Sequence, residues 1–189
     1  MNNVVRKALP GDLAIWIFIY AELLVFGVFF IAYAFARSYN LEMFTDGQKT
    51  LNKEFGVINT LLLITSSYFV VRAVAAIRID KIQQCMSWLI SALLCGALFL
   101  LVKVFEYREK FASGYDLDTN TFYMFYFSLT IFHFMHVILG MIILTFVLFK
   151  TRRGGYSNAN HTGIESGASY WHMVDLVWVV LFPLVYVMR

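Results

Sequence analysis

Charge is what this sequence has least of. Only 14% of its 189 residues are Asp, Glu, Lys or Arg, whereas 60% are hydrophobic and the mean hydropathy is +0.70. That balance excludes a soluble domain of this size and points to a polytopic membrane protein. The net charge of +3 is scattered, so nothing recommends a nucleic-acid partner. Cysteine is nearly as scarce. Cys85 and Cys95 lie ten residues apart on one predicted helix and face different ways, which excludes a mutual disulfide and any metal-ligand spacing. Also absent are Gly-x-Ser-x-Gly, a phosphate loop, Cys-x-x-Cys and His-Glu-x-x-His, so no familiar catalytic centre is written into the chain.

Aromatic residues are abundant, with 19 Phe, 11 Tyr and 4 Trp, as suits packed transmembrane helices and interfacial belts. The sequence predicts an all-α, five-span bundle forming a single domain over 1–189, with helices at about 12–38, 54–77, 84–107, 121–150 and 166–188. The first apolar run, Leu13 to Phe35, exceeds the length of a signal-peptide core, contains Glu22 and is followed by four more spans, so it counts as a span. Asp12 is the expected cap of the first helix. The segment from Tyr39 to Lys53 reads as an external loop. Arg6, Lys7, Arg78, Lys81, Lys150, Arg152 and Arg153 fall on the N-terminal side, seven cations against six on the other. That bias places the N-terminus in the cytoplasm of a bacterial plasma (inner) membrane.

The few ionisable residues inside the spans are the candidate site. Glu22 sits ten residues into the first helix, about 15 Å deep, where a carboxyl is either neutral or partnered from another helix. It is either a relay for protons or a tie between helices. His133 and His136 share one helical face, and the reading of buried histidines between helices outweighs metal or haem ligation because too few further ligands are available. Thr130 and Gly140 extend that face as a close helix contact. Lys103 and Glu106 are spaced to pair, although Lys103 is equally able to snorkel and leave Glu106 free. In the last span Glu165, His172 and Asp175 fall on roughly one face, and His172 is placed to pair with Asp175.

These residues form a pattern. Tyr170-Trp171-His172-Met173-Val174-Asp175-Leu176-Val177-Trp178, preceded by Glu165, resembles the Trp-Tyr-Trp-His-Phe-Val-Asp-Val-Val-Trp signature of subunit III of the haem-copper oxidases. His133-Phe134-Met135-His136-Val137 with Gly140 is similar to that family's His-Gly-x-His-Val helix, apart from the glycine. Phe105-Glu106-Tyr107, Asn59-Thr60 and Glu22 match its Glu-Tyr pair, its Leu-Asn-Thr start and its carbodiimide-reactive glutamate. The resemblance covers essentially the whole chain, in a five-helix form without the two N-terminal helices of longer members.

The resemblance implies a subunit with no cofactor of its own, packed on a catalytic partner that holds haem with copper or iron. That partner is an oxidase or a nitric oxide reductase. The run Thr121-Phe-Tyr-Met-Phe-Tyr-Phe and Met135 lean towards the branch associated with nitric oxide reductases. The polar framework implied is Glu22, Glu106, His133, His136, Glu165, His172 and Asp175. Phospholipid is a further implied partner, with headgroup contacts at Glu165 and Arg152. A small proton-coupled transporter and an assembly factor for the oxidase are the competing readings.

Overall fold

The computed structural model describes residues 11–188, and within them it is a bundle of long helices without a strand. Arg6, Lys7 and Arg189, which the charge comparison used, lie outside that range. Five helices are long and apolar enough to cross a membrane: α1 (Leu13–Tyr39), α3 (Lys53–Ile77), α4 (Ile82–Ala112), α5 (Thr121–Arg152) and α6, which begins at Thr162 and reaches Val187 through a terminal π-helical turn. Side-chain caps start three of them. Asp12 accepts from Ala14 N at 3.4 Å, Asn52 from Glu54 N at 3.0 Å and Asn120 from Tyr123 N at 3.0 Å, each satisfying an otherwise orphaned donor.

The expected loop at 39–53 is a correction. It holds a ten-residue helix, α2 (Leu41–Thr50), whose Phe44, Gly47 and Gln48 are buried at i, i+3 and i+4. Gly47 lies directly against the Phe122 ring, so the glycine that reads as a loop marker is there for close approach. Gln48 donates to Tyr33 Oη and to Leu184 O, both at 3.3 Å. The helix is a lid across one end of the bundle.

Helices α3, α4, α5 and α6 close a four-membered ring, each touching the next, and α1 packs on the outside against α5 and α6. Trp171 of α6 is the pin at the centre. A Cβ at Gly140 on α5 would stand 2.7 Å from its Cε3, and one at Gly96 on α4 3.0 Å from its Cη2. Two glycines therefore form the slot for one indole. The same ring donates through Nε1 to Ser66 Oγ at 3.1 Å, and Ser66 in turn donates to Ala92 O at 2.9 Å. Four helices meet at one side chain, and the face predicted from Thr130 and Gly140 is indeed a close contact.

Pro183 ends the regular part of α6. Lacking an N–H, it cannot continue the ladder, and the chain widens into a π-helical turn over Pro183–Val187. That turn leaves Val185 and Tyr186 fully buried.

Candidate functional site

Three polar clusters occupy the spans, each built around a carboxylate. The deepest uses α4, α5 and the π-turn. Lys103 Nζ contacts Glu106 Oε2 at 2.9 Å and Tyr186 Oη at 2.9 Å, while Glu106 Oε1 accepts from Tyr126 at 2.9 Å and from Tyr186 at 2.6 Å. Lys103 is wholly buried, and its ammonium also lies 4.8 Å from the Tyr107 ring centre and 5.4 Å from those of Tyr126 and Trp178. Snorkelling is thus ruled out for Lys103, and Glu106 is not free. The reason is geometric: the i, i+3 spacing presents both side chains to the same interior cleft, where aromatic faces and hydroxyls replace water.

The second cluster joins α1 to α5. His136 Nδ1 lies 2.7 Å from Phe132 O, and a carbonyl cannot donate, so Nδ1 carries a proton. His136 Nε2 lies 2.9 Å from Glu22 Oε2. One proton is shared across that contact, as imidazolium with carboxylate or as imidazole with carboxylic acid. Either way the pair has no net charge, which is the form a bilayer interior tolerates. Phe26 and Phe132 pack edge-on to the His136 ring at 5.2 and 4.6 Å between centres. The Glu22 side chain keeps 19% of its surface exposed.

The third cluster lies at the other end of α6. Glu165 Oε1 contacts Arg78 Nη2 at 2.6 Å and His161 Nε2 at 3.3 Å, and Glu165 Oε2 accepts from Gly11 N at 3.3 Å. Ser166 Oγ accepts from Asp12 N at 3.0 Å. One turn of α6 thereby gathers the start of α1, the end of α3 and the loop before α6. Asp80, at a positive φ of 54°, ties the α3–α4 turn to that loop by accepting from Asn158 N at 2.7 Å. In the same loop Tyr156 is buried beneath the Lys150 ammonium, and burial pushes its phenol above the ordinary range.

The remaining candidates do not join these clusters. His172 is bonded through Nδ1 to Ser67 Oγ at 2.6 Å, and Asp175 Oδ2 is 4.0 Å away, beyond hydrogen-bond reach. Neither oxygen of Asp175 has a hydrogen-bond partner, and neither ring nitrogen of His133 has one, although both residues are buried. Aromatic rings surround His133, with Trp178 at 5.2 Å and Phe99 at 5.8 Å between centres. Arg152 is separate from Glu165. It borders a groove between α4 and α5, whereas Glu165 borders one of about 310 Å³ between α3 and α6, shared with Arg78, Ser169 and His172. Among the described residues no three His, Cys, Asp or Glu side chains are grouped so as to hold a metal ion.

Tyr126, Tyr186, Arg78 and Ser67 are the functional partners that sequence reasoning missed. A tyrosine in an apolar span has a hydroxyl to satisfy, which is the signal that Tyr126 and Tyr186 carried. Arg78 had been counted only as a topological charge.

The fold and its clusters define a multi-pass membrane protein whose polar side chains join helices to one another. Comparison with known proteins narrows this. The family model for cytochrome c oxidase subunit III matches residues 2–189. The chain is 34% identical over 177 residues to cytochrome c oxidase subunit 3 of Thermostichus vulcanus, covering 93% of this chain and 86% of that one. It is 28% identical over 172 residues to cytochrome bo(3) ubiquinol oxidase subunit 3 of Buchnera aphidicola, covering 91% and 83%. It is also 30% identical over 204 residues to the heme-copper oxidase subunit I+III of Aeropyrum pernix, covering 98% of this chain and 25% of that protein. The chain belongs to the cytochrome c oxidase subunit III family.

Proposed function

We propose that this chain is the non-catalytic subunit III component of a haem-copper respiratory oxidase, bound to the subunit that carries haem and copper. There it supports stability, proton uptake and turnover. The observation that carries this reading is the Aeropyrum pernix relative, whose name joins subunit I and subunit III in one polypeptide and whose aligned quarter matches 98% of this chain. A family that fuses the two modules gives the separate module a reason to dock on the other. The internal clusters suit that role: each ties helices of this chain together and makes it a preformed body for docking, which lowers the ordering cost of association.

The framework of Glu22, Glu106, His133, His136, His172 and Asp175 is structural in this reading, with the Glu22–His136 proton the one best placed to move. Glu22 is its half-open member and connects the outer helix to the ring. Arg152 is the proposed contact for lipid headgroups, and Glu165 with Arg78 borders a second such place. The whole of 1–189 acts as one domain in the bacterial plasma membrane. Gly11, the α3–α4 turn and the α5–α6 loop share one end through Glu165 and Asp80. Arg78, Lys81, Lys150, Arg152 and Arg153 collect there, matched by five cations at the other end, so the cytoplasmic N-terminus is proposed on the seven-to-six bias that the sequence shows once Arg6, Lys7 and Arg189 are counted.

The test is a mild-detergent pull-down of the tagged chain from its native membrane, with an optical spectrum and mass identification of its companions. A haem- and copper-containing oxidase at fixed stoichiometry is expected. A nitric oxide reductase instead would favour the branch suggested by Thr121–Phe127 and Met135. A colourless, partner-free protein would sink the reading.

A further inference from the structure

Glu22 on α1 and His172 on α6 both stand partly open, about 15 Å from the N-terminal ends of their helices. Glu22 has His136 for a partner, whereas His172 is held only through Nδ1, on Ser67 Oγ. Its Nε2 has no hydrogen-bond partner among the described residues, and 36% of the side chain is exposed. Depth decides what can satisfy that nitrogen. Acyl chains offer neither donor nor acceptor, and at about 15 Å into the bilayer the headgroups are out of reach. Only helices cross a bilayer beside an all-α bundle, so the missing group comes from a side chain on another spanning helix.

The surface around His172 is shaped for one. On α6, Ser169, His172, Leu176 and Val179 are spaced by three, four and three residues and form one stripe. On α3, Ile64, Tyr68, Val71 and Ala75 form a second, spaced by four, three and four, and all four are exposed. Two bonds hold the stripes side by side, Ser67 to His172 at 2.6 Å and Trp178 Nε1 to Thr60 Oγ1 at 3.0 Å. Between them runs the groove of about 310 Å³, walled by Val71, Val74, Ala75 and Ala168. A hydroxyl suits His172 in either tautomer, because it accepts from a protonated Nε2 or donates to a bare one.

We infer that the α3–α6 face is where the haem- and copper-bearing subunit docks, one of its spanning helices lying along the groove and presenting a serine, threonine or tyrosine hydroxyl to His172 Nε2. The inference rests on the subunit reading proposed above and adds to it the surface and the contact.

The tagged full chain is made with Leu176→p-benzoylphenylalanine or, as a control on the outer face of α4, Leu94→p-benzoylphenylalanine, photolysed in its native membrane and analysed by mass. Position 176 is expected to capture a spanning segment of the haem-copper subunit at least five times as often as position 94. Leu176→Trp crowds the stripe from outside the core. It should lower the haem recovered per chain in a mild-detergent pull-down at least fivefold, His172→Leu at least threefold, and Leu94→Trp less than twofold. The yield of monodisperse chain, unchanged in Leu176→Trp, separates lost docking from lost folding. A haem partner captured from position 94 and not from 176 overturns the surface and leaves the subunit reading intact. Capture from 176 of a second copy of this chain, or of lipid alone, does the same. Normal haem recovery by His172→Leu overturns the hydroxyl contact. A wild-type chain that brings down no haem protein overturns the subunit reading, and the surface with it.

Discussion

Glu106 and Glu165 each hold three partners and stand at opposite ends of the same bundle, yet they do different work. Glu106 is closed in by Lys103, Tyr126 and Tyr186, with 1% of its surface exposed, so every contact is made without water. Glu165 binds Arg78, His161 and a backbone amide, and its strongest partner keeps half of its side chain exposed. The interior cluster is all or nothing, because a group removed there strands a charge that nothing else can satisfy. The surface cluster is forgiving, because water replaces whatever is lost.

Breaking the interior pair tests that contrast most severely. Lys103→Ala or Glu106→Ala should cost about 3–5 kcal/mol, seen as a collapsed yield of folded protein in detergent and a much lower melting temperature. Lys103→Met combined with Glu106→Leu should be milder than either single change, since the double variant leaves no lone charge. Equal damage from the double variant would mean that the pair contributes more than charge compensation.

Tyr186→Phe removes one donor to Glu106 while keeping the ring, and should cost about 1.5–3 kcal/mol, read from thermal unfolding at constant detergent. Glu165→Gln should cost under about 1 kcal/mol, with the difference from wild type shrinking as salt rises. A loss as large as that of Glu106→Ala would erase the distinction. Asp175→Leu sharpens it from the other side. Its carboxyl has no hydrogen-bond partner, so the change should leave stability within about 1 kcal/mol of wild type or raise it. A severe loss would show that Asp175 acquires a partner in the assembled protein.

The five spans were legible because hydropathy over some 20 residues is a local property that the bilayer enforces. The lid helix α2 was not, because only three of its ten residues are buried and one of them is Gln48. Glu22 and His136 were each legible as candidates. Their pairing was not, since they lie 114 residues apart and the helix packing that joins them is a tertiary fact. The same limit explains Ser67, which takes the His172 contact that spacing had offered to Asp175. Spacing on one helix names a local partner, and here a neighbouring helix outbid it. Lys103 is the opposite case. Its i, i+3 partner was correct, and its depth was hidden because, besides Tyr107 on its own helix, three aromatic rings from three other segments enclose it.

The local pairing of Lys103 with Glu106 also bears on how the chain enters the bilayer. Ribosomes deliver α4 before α5 and the end of α6 exist, so Tyr126 and Tyr186 cannot help while that helix passes the translocon. A lysine whose counter-ion came from a later span would cross unaccompanied, at a cost of about 2.5–3.5 kcal/mol. With the counter-ion one turn away on the same segment, α4 carries its own neutralisation into the membrane, and the two tyrosines close over an ion pair already made.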